Sequence, residues 1–92
     1  MDPFVNLVIK IIKTQEAIIG PLAIEQAQNT PGLELNWKDQ KVEFKNEKKS
    51  VIEALVKKYE AIFGRTSLEV CREVYHSLSS QIPKEQLPSI LA

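Results

Sequence analysis

The chain has 92 residues, which is enough for one hydrophobic core, so we expect residues 1–92 to form a single domain. Its twelve basic and twelve acidic side chains give zero formal net charge, which excludes a global attraction to nucleic acid or anionic lipid. The single cysteine excludes an internal disulfide, and the first residues lack the basic start of a signal peptide. We therefore expect a cytoplasmic protein with no membrane span.

The N-terminal segment predicts a helix that is apolar around most of its circumference. Asp2 and Pro3 suit a helix start, and the pattern continues to Ile19. A helix with so little polar surface needs cover on several sides, and a short chain has little to offer. We therefore predict a protein–protein interface, in a homodimer or with another protein, formed by Phe4, Leu7, Val8, Ile11 and Ile12. The alternative is that the other helices of the domain wrap around this one.

A break is predicted at Gly20-Pro21, because proline disfavours helical geometry in the residue before it. A second helix should run from Pro21 to about Gln28. The cluster Asn29-Thr30-Pro31-Gly32 then predicts a turn.

Alternating apolar and polar residues over 33–38 and 41–45 predict a β-hairpin. A two-residue turn at Asp39-Gln40 would place Trp37 opposite Val42, with a longer loop as the alternative. In that register the apolar side chains share one face, and Glu34 lies opposite Lys45.

The C-terminal half predicts two or three helices. Asn46 should cap a helix over 47–63, with Gly64 as its stop. Thr66 and Glu69 have the spacing of a capping box for the next helix, and Pro83 should begin a last short one. The predicted class is α+β: mostly helical, with two N-terminal helices kinked at Gly20-Pro21, one antiparallel β-hairpin and these C-terminal helices.

Two candidate sites attract negatively charged ligands. Arg65, Thr66 and Ser67 precede a helix N-terminus, where free amides favour a small anion, although simple helix capping explains the same residues. The lysines of residues 41–58 offer a nucleic-acid surface, but glutamates are interleaved with them, as on a solvated face of mixed charge.

No catalytic, metal or cofactor site is predicted. Cys71 and His76 lie about 140° apart around one helix, so they cannot converge on a substrate or metal. No second histidine or cysteine completes a zinc site. We therefore expect a protein that is not an enzyme.

The segment Ile19-Gly20-Pro21-Leu22-Ala23, together with Ala27 and a tail containing Ile82-Pro83, Leu87 and Leu91, resembles a small helical accessory module. That module occurs at the end of some bacterial signalling proteins, including serine/threonine kinases, and typically lacks the hairpin. The resemblance implies a non-catalytic regulatory or docking role in a bacterium.

The leading hypothesis from the sequence is a non-enzymatic protein-interaction or regulatory module that associates through its N-terminal helix. The alternatives are a nucleic-acid-binding accessory protein that uses the lysines of residues 41–58, and a sensor of a small anion at residues 64–67.

Overall fold

A computed structural model describes residues 2–91 and has the predicted mostly helical α+β architecture. Two N-terminal helices come first, then an antiparallel hairpin, then two further helices and two 3₁₀ turns. The elements are α1 (Pro3–Ile19), α2 (Leu22–Gln28), β1 (Leu33–Asn36), β2 (Lys41–Phe44), α3 (Lys48–Phe63), α4 (Arg65–Ser77) and 3₁₀ turns at Lys84–Gln86 and Ser89–Leu91.

The start and end of α1 follow the predicted signals. The Asp2 carboxylate accepts the Phe4 amide at 2.8 Å, and proline occupies the first turn. At the other end, the Gly20 amide donates to the Glu16 carbonyl at 2.8 Å. Gly20 leaves helical geometry with a φ of 70°, and Pro21 directly precedes α2, so the helix breaks between α1 and α2 as predicted.

The hairpin forms, but its register differs by two residues from the one that places Trp37 opposite Val42. Leu35 pairs with Val42, and Leu33 pairs with Phe44. The connection is a four-residue loop because Asp-Gln does not suit a tight two-residue turn, which requires positive φ at both positions (type I′) or at the first (type II′). In this loop only Gln40 has positive φ, at 54°, and its amide donates to the Trp37 carbonyl. A two-residue shift preserves the inward face, so the apolar side chains stay together.

The helix starts in the C-terminal half differ from the predicted caps. Glu47, not Asn46, is the residue before α3, and its side chain makes no capping hydrogen bond. Gly64 ends α3 and also precedes α4, so Thr66 lies inside the helix and no capping box forms. The positive φ of 61° at Gly64 allows one helix to follow the other without a linker.

The tail packs on the body as two short 3₁₀ turns in place of the predicted last helix. Ile82, Leu87 and Leu91 are buried, and the Arg72 Nε donates to the Ile90 carbonyl at 3.0 Å.

The core is built around α1, which contacts α2, β2, α3 and α4. Leu7, Val8, Ile11 and Ile12 are fully buried inside the single chain, and Phe4 is half-buried. The interface predicted on these five residues is therefore corrected: four of them are not on the surface. The arrangement is the alternative one, in which the other elements wrap around the N-terminal helix and supply the cover that its apolar circumference requires.

Candidate functional site

Three large apolar side chains remain exposed in the described part of the chain. Ile18 is 45% exposed, Leu22 37% and Phe63 50%. Each belongs to an end of a helix: the last turn of α1, the first residue of α2 and the last residue of α3. We call this group the apolar end.

One buried contact holds the last turns of α1 beside the first turn of α4. The Gln15 Nε2 donates to the Ser67 carbonyl at 3.1 Å, and the Ser67 Oγ donates to the Gln15 Oε1 at 3.1 Å. Both residues are buried. Ile18 lies one turn after Gln15 on α1, and Phe63 at the end of α3 is joined to the start of α4 through Gly64, so this contact brings the two helix ends near each other.

A second buried contact adds α2 to the same end of the molecule. The Tyr59 hydroxyl donates to the Ala23 carbonyl at 2.7 Å, which fixes the C-terminal half of α3 against the start of α2. Leu22 directly precedes Ala23, and Phe63 follows Tyr59 by one helical turn on the same face. The two contacts therefore bring the ends of α1, α2 and α3 to the same side of the molecule, and each of these ends carries one exposed apolar side chain.

Leu22 and Phe63 lie in apolar patterns whose periodicity is typical of inward-facing residues, so the sequence alone does not mark them as exposed. A signal was present in the chain. Ile18 lies two residues before Gly20, and Phe63 directly precedes Gly64. The last turn of a helix that ends at a glycine can lie beyond the elements packed against the rest of the helix. Apolar side chains in that turn are then exposed.

The three residues of the predicted anion site lie on the first turn of α4 but do not converge. Arg65 is exposed and pairs with Glu69 at 3.4 Å, so its charge is balanced on its own helix. Ser67 is buried, and its hydroxyl is used by Gln15. Thr66 is exposed. The structure therefore leaves little of the donor set that an anion would need.

Three of the six lysines of residues 41–58 form local ion pairs. Lys45 lies 3.2 Å from Glu34 and 3.3 Å from Glu43. Lys48 pairs with Asp2 at 2.7 Å, and Lys57 pairs with Glu53 at 3.0 Å. Lys41, Lys49 and Lys58 form no ion pair within residues 2–91, but the three paired lysines lie among them and give this surface mixed charge, whereas nucleic acid favours a continuous basic face.

Cys71 and His76 face different environments. The Cys71 thiol is buried, and burial raises its pKa to about 11, which keeps it protonated and poorly nucleophilic at neutral pH. His76 is exposed. Within residues 2–91, no group of three or more histidine, cysteine or acidic side chains is arranged to hold a metal ion.

None of the helices in residues 2–91 has the length and apolarity to cross a bilayer. No family model, curated protein or solved structure matches the chain. The resemblance of its two ends to a bacterial accessory module therefore stays a prediction, and the geometry of the apolar end carries the functional argument.

Proposed function

We propose that this protein is a non-enzymatic protein-interaction module that self-associates through the apolar end. The observation that supports this role is the exposure of Ile18, Leu22 and Phe63 at three helix ends that the Gln15–Ser67 and Tyr59–Ala23 contacts bring to one side of the molecule. Exposed apolar groups that lie together favour burial against another protein surface, whereas scattered single ones do not. The proposed setting is the cytoplasm, where a lone buried thiol stays reduced.

A second copy of the chain is the partner that we propose. Zero net charge leaves little electrostatic repulsion between copies. In the proposed dimer, α1 takes part in the contact through Ile18 in its last turn.

The size of the apolar end sets the expected strength of association. A stable interface buries roughly 800 Å² per partner, and three side chains supply only part of such an area. We therefore expect a reversible dimer that forms at high micromolar concentration, not a permanent one. Reversible contacts of this kind suit a module whose association changes with local concentration.

Sedimentation equilibrium of the full chain tests the proposal. The weight-average mass should rise with concentration in the wild type, and Phe63→Glu should abolish the rise because a charge would be buried in the contact. Ser80→Glu is the matched control, since Ser80 is exposed and lies outside the apolar end. A wild type that stays monomeric up to about 1 mM, or equal loss of association in both variants, would overturn the proposal.

A further inference from the structure

A groove of about 400 Å³ runs along the outer side of α1 and is separate from the apolar end. Its lining consists of Asn6, Ile9, Lys10 and Lys13 from α1 and Leu78 from the end of α4. The α1 residues recur at helical spacing, so they form one stripe along the helix. Lys10 and Lys13 are exposed and Asn6 and Ile9 are half-buried, so the stripe lies at the edge of the core.

The groove lies where α1 and the end of α4 pack side by side, and the two helices run antiparallel. The Gln15–Ser67 contact fixes one end of the helix pair, and the Lys10 Nζ donates to the Ser77 Oγ at 3.0 Å near the other. Ile9 and Leu78 are half-buried and pack against the core cluster, so the floor is apolar and rests on a rigid base.

The charge of the groove has one sign. Lys10 and Lys13 line it, and no carboxylate does. Within residues 2–91, neither lysine has an acidic partner within 4 Å, unlike Lys45, Lys48 and Lys57. Glu73 is exposed one turn before Ser77 on α4, and it pairs with neither lysine. An apolar floor with two unpaired cations at its rim matches a ligand that combines apolar and acidic groups.

We propose that this groove binds an acidic peptide segment of a partner protein, with an aliphatic side chain on the floor and carboxylates at Lys10 and Lys13. The volume suits one or two aliphatic side chains. Other peptide-binding grooves likewise recognise their ligands through a few buried side chains. Nucleic acid is the less suitable ligand, since the lining has no aromatic side chain on which a base could stack. The inference goes beyond the proposed self-association and does not depend on it.

Binding of synthetic peptides to the full chain tests the inference. The probe is a blocked peptide of sequence Glu-Asp-Leu-Leu-Asp-Glu, compared with its uncharged Gln-Asn-Leu-Leu-Asn-Gln counterpart and with Glu-Asp-Ala-Ala-Asp-Glu. The first should shift the amide resonances of residues 6–13 and of Leu78, and it should bind about tenfold tighter than either control peptide. Equal binding of all three peptides, or shifts confined to other residues, would overturn the inference.

Charge-reversal variants complete the test. Lys13→Glu should weaken binding of the acidic peptide about tenfold. The fold should be unaffected, because Lys13 is exposed and its side chain makes no hydrogen bond or ion pair in the described residues. Lys38→Glu, at an exposed position in the hairpin loop, is the matched control and should bind as the wild type does. Equal weakening in both variants, or binding of oligothymidylate as tight as that of the peptide, would contradict a peptide groove.

Discussion

Gln15 and Ser67 are joined by two reciprocal hydrogen bonds in the interior, 52 positions apart in the sequence. The Gln15 amide also lies 3.5 Å from the Cys71 sulfur. These contacts satisfy every polar atom of a glutamine that projects from an otherwise apolar face of α1. They also determine where α1 ends relative to α4, and so they support the apolar end.

A double-mutant cycle on this pair should show strong coupling. Gln15→Leu and Ser67→Ala should each lower the free energy of unfolding by about 1–3 kcal/mol, because each leaves a buried polar partner unsatisfied. The double variant should lose clearly less than the sum of the two, since neither the Gln15 Oε1 nor the Ser67 Oγ is then left buried without its partner. Urea denaturation measures all four free energies. Additive losses would show that the two bonds do not act as a unit.

Ile11→Asp tests whether the apolar stripe of α1 is core or interface. Ile11 is fully buried in the single chain, so an aspartate there should cost at least about 3 kcal/mol and largely unfold the domain. Circular dichroism and thermal melting would record the loss. A variant that stays folded and differs from the wild type only in its oligomeric state would restore the stripe as an interface.

The buried thiol predicts a loss of stability at alkaline pH. Burial raises the pKa of Cys71 from 9.0 to about 11, so the folded state holds this proton more tightly than the unfolded state does. The part of the free energy of unfolding that comes from this protonated thiol is fully present below pH 9 and is lost as the pH rises through about 11. The stability difference between the wild type and Cys71→Ala should therefore shrink over this range in urea titrations. A difference that is independent of pH would contradict this account.

The ion pair at the N-terminus predicts a change at acid pH. The hydrogen bond from Lys48 holds the pKa of Asp2 below its ordinary value of 3.8. The stabilisation of the folded state by ionised Asp2 is present above pH 3.8 and is lost as the pH falls through the lowered pKa of the folded state. Asp2→Asn keeps an N-cap but removes the ion pair, so it should cost less than about 1 kcal/mol at pH 7 and nothing at the acid end. Thermal melts of the wild type and of Asp2→Asn, at pH 7 and at a pH below the lowered pKa of Asp2, measure the stability difference under each condition.

The sequence predicts most of the secondary structure because its signals are local. Pro3, Gly20-Pro21 and Gly64 mark the boundaries of helices through backbone geometry that depends on neighbouring residues alone. The hairpin is recognisable from its alternation. Its register is not, because the loop geometry depends on which residue adopts positive φ, and here that residue is Gln40.

The candidate surfaces depend on tertiary contacts, which periodicity does not show. The apolar circumference of α1 indicates that it needs cover, but the same pattern fits a second chain or the domain's own helices. The exposed face of α1 is the polar stripe that contains Lys10 and Lys13. The apolar end similarly depends on the Gln15–Ser67 contact, which links residues too distant in sequence for any local pattern to join.

The most direct test of the central claim is a dilution series of ¹⁵N-labelled full-length protein, followed by amide chemical shifts. If copies associate through Ile18, Leu22 and Phe63, concentration-dependent shifts should be confined to residues 16–24 and 60–66, with fast exchange between monomer and dimer. Shifts that do not change with concentration, or that map to the hairpin or the tail, would contradict the account.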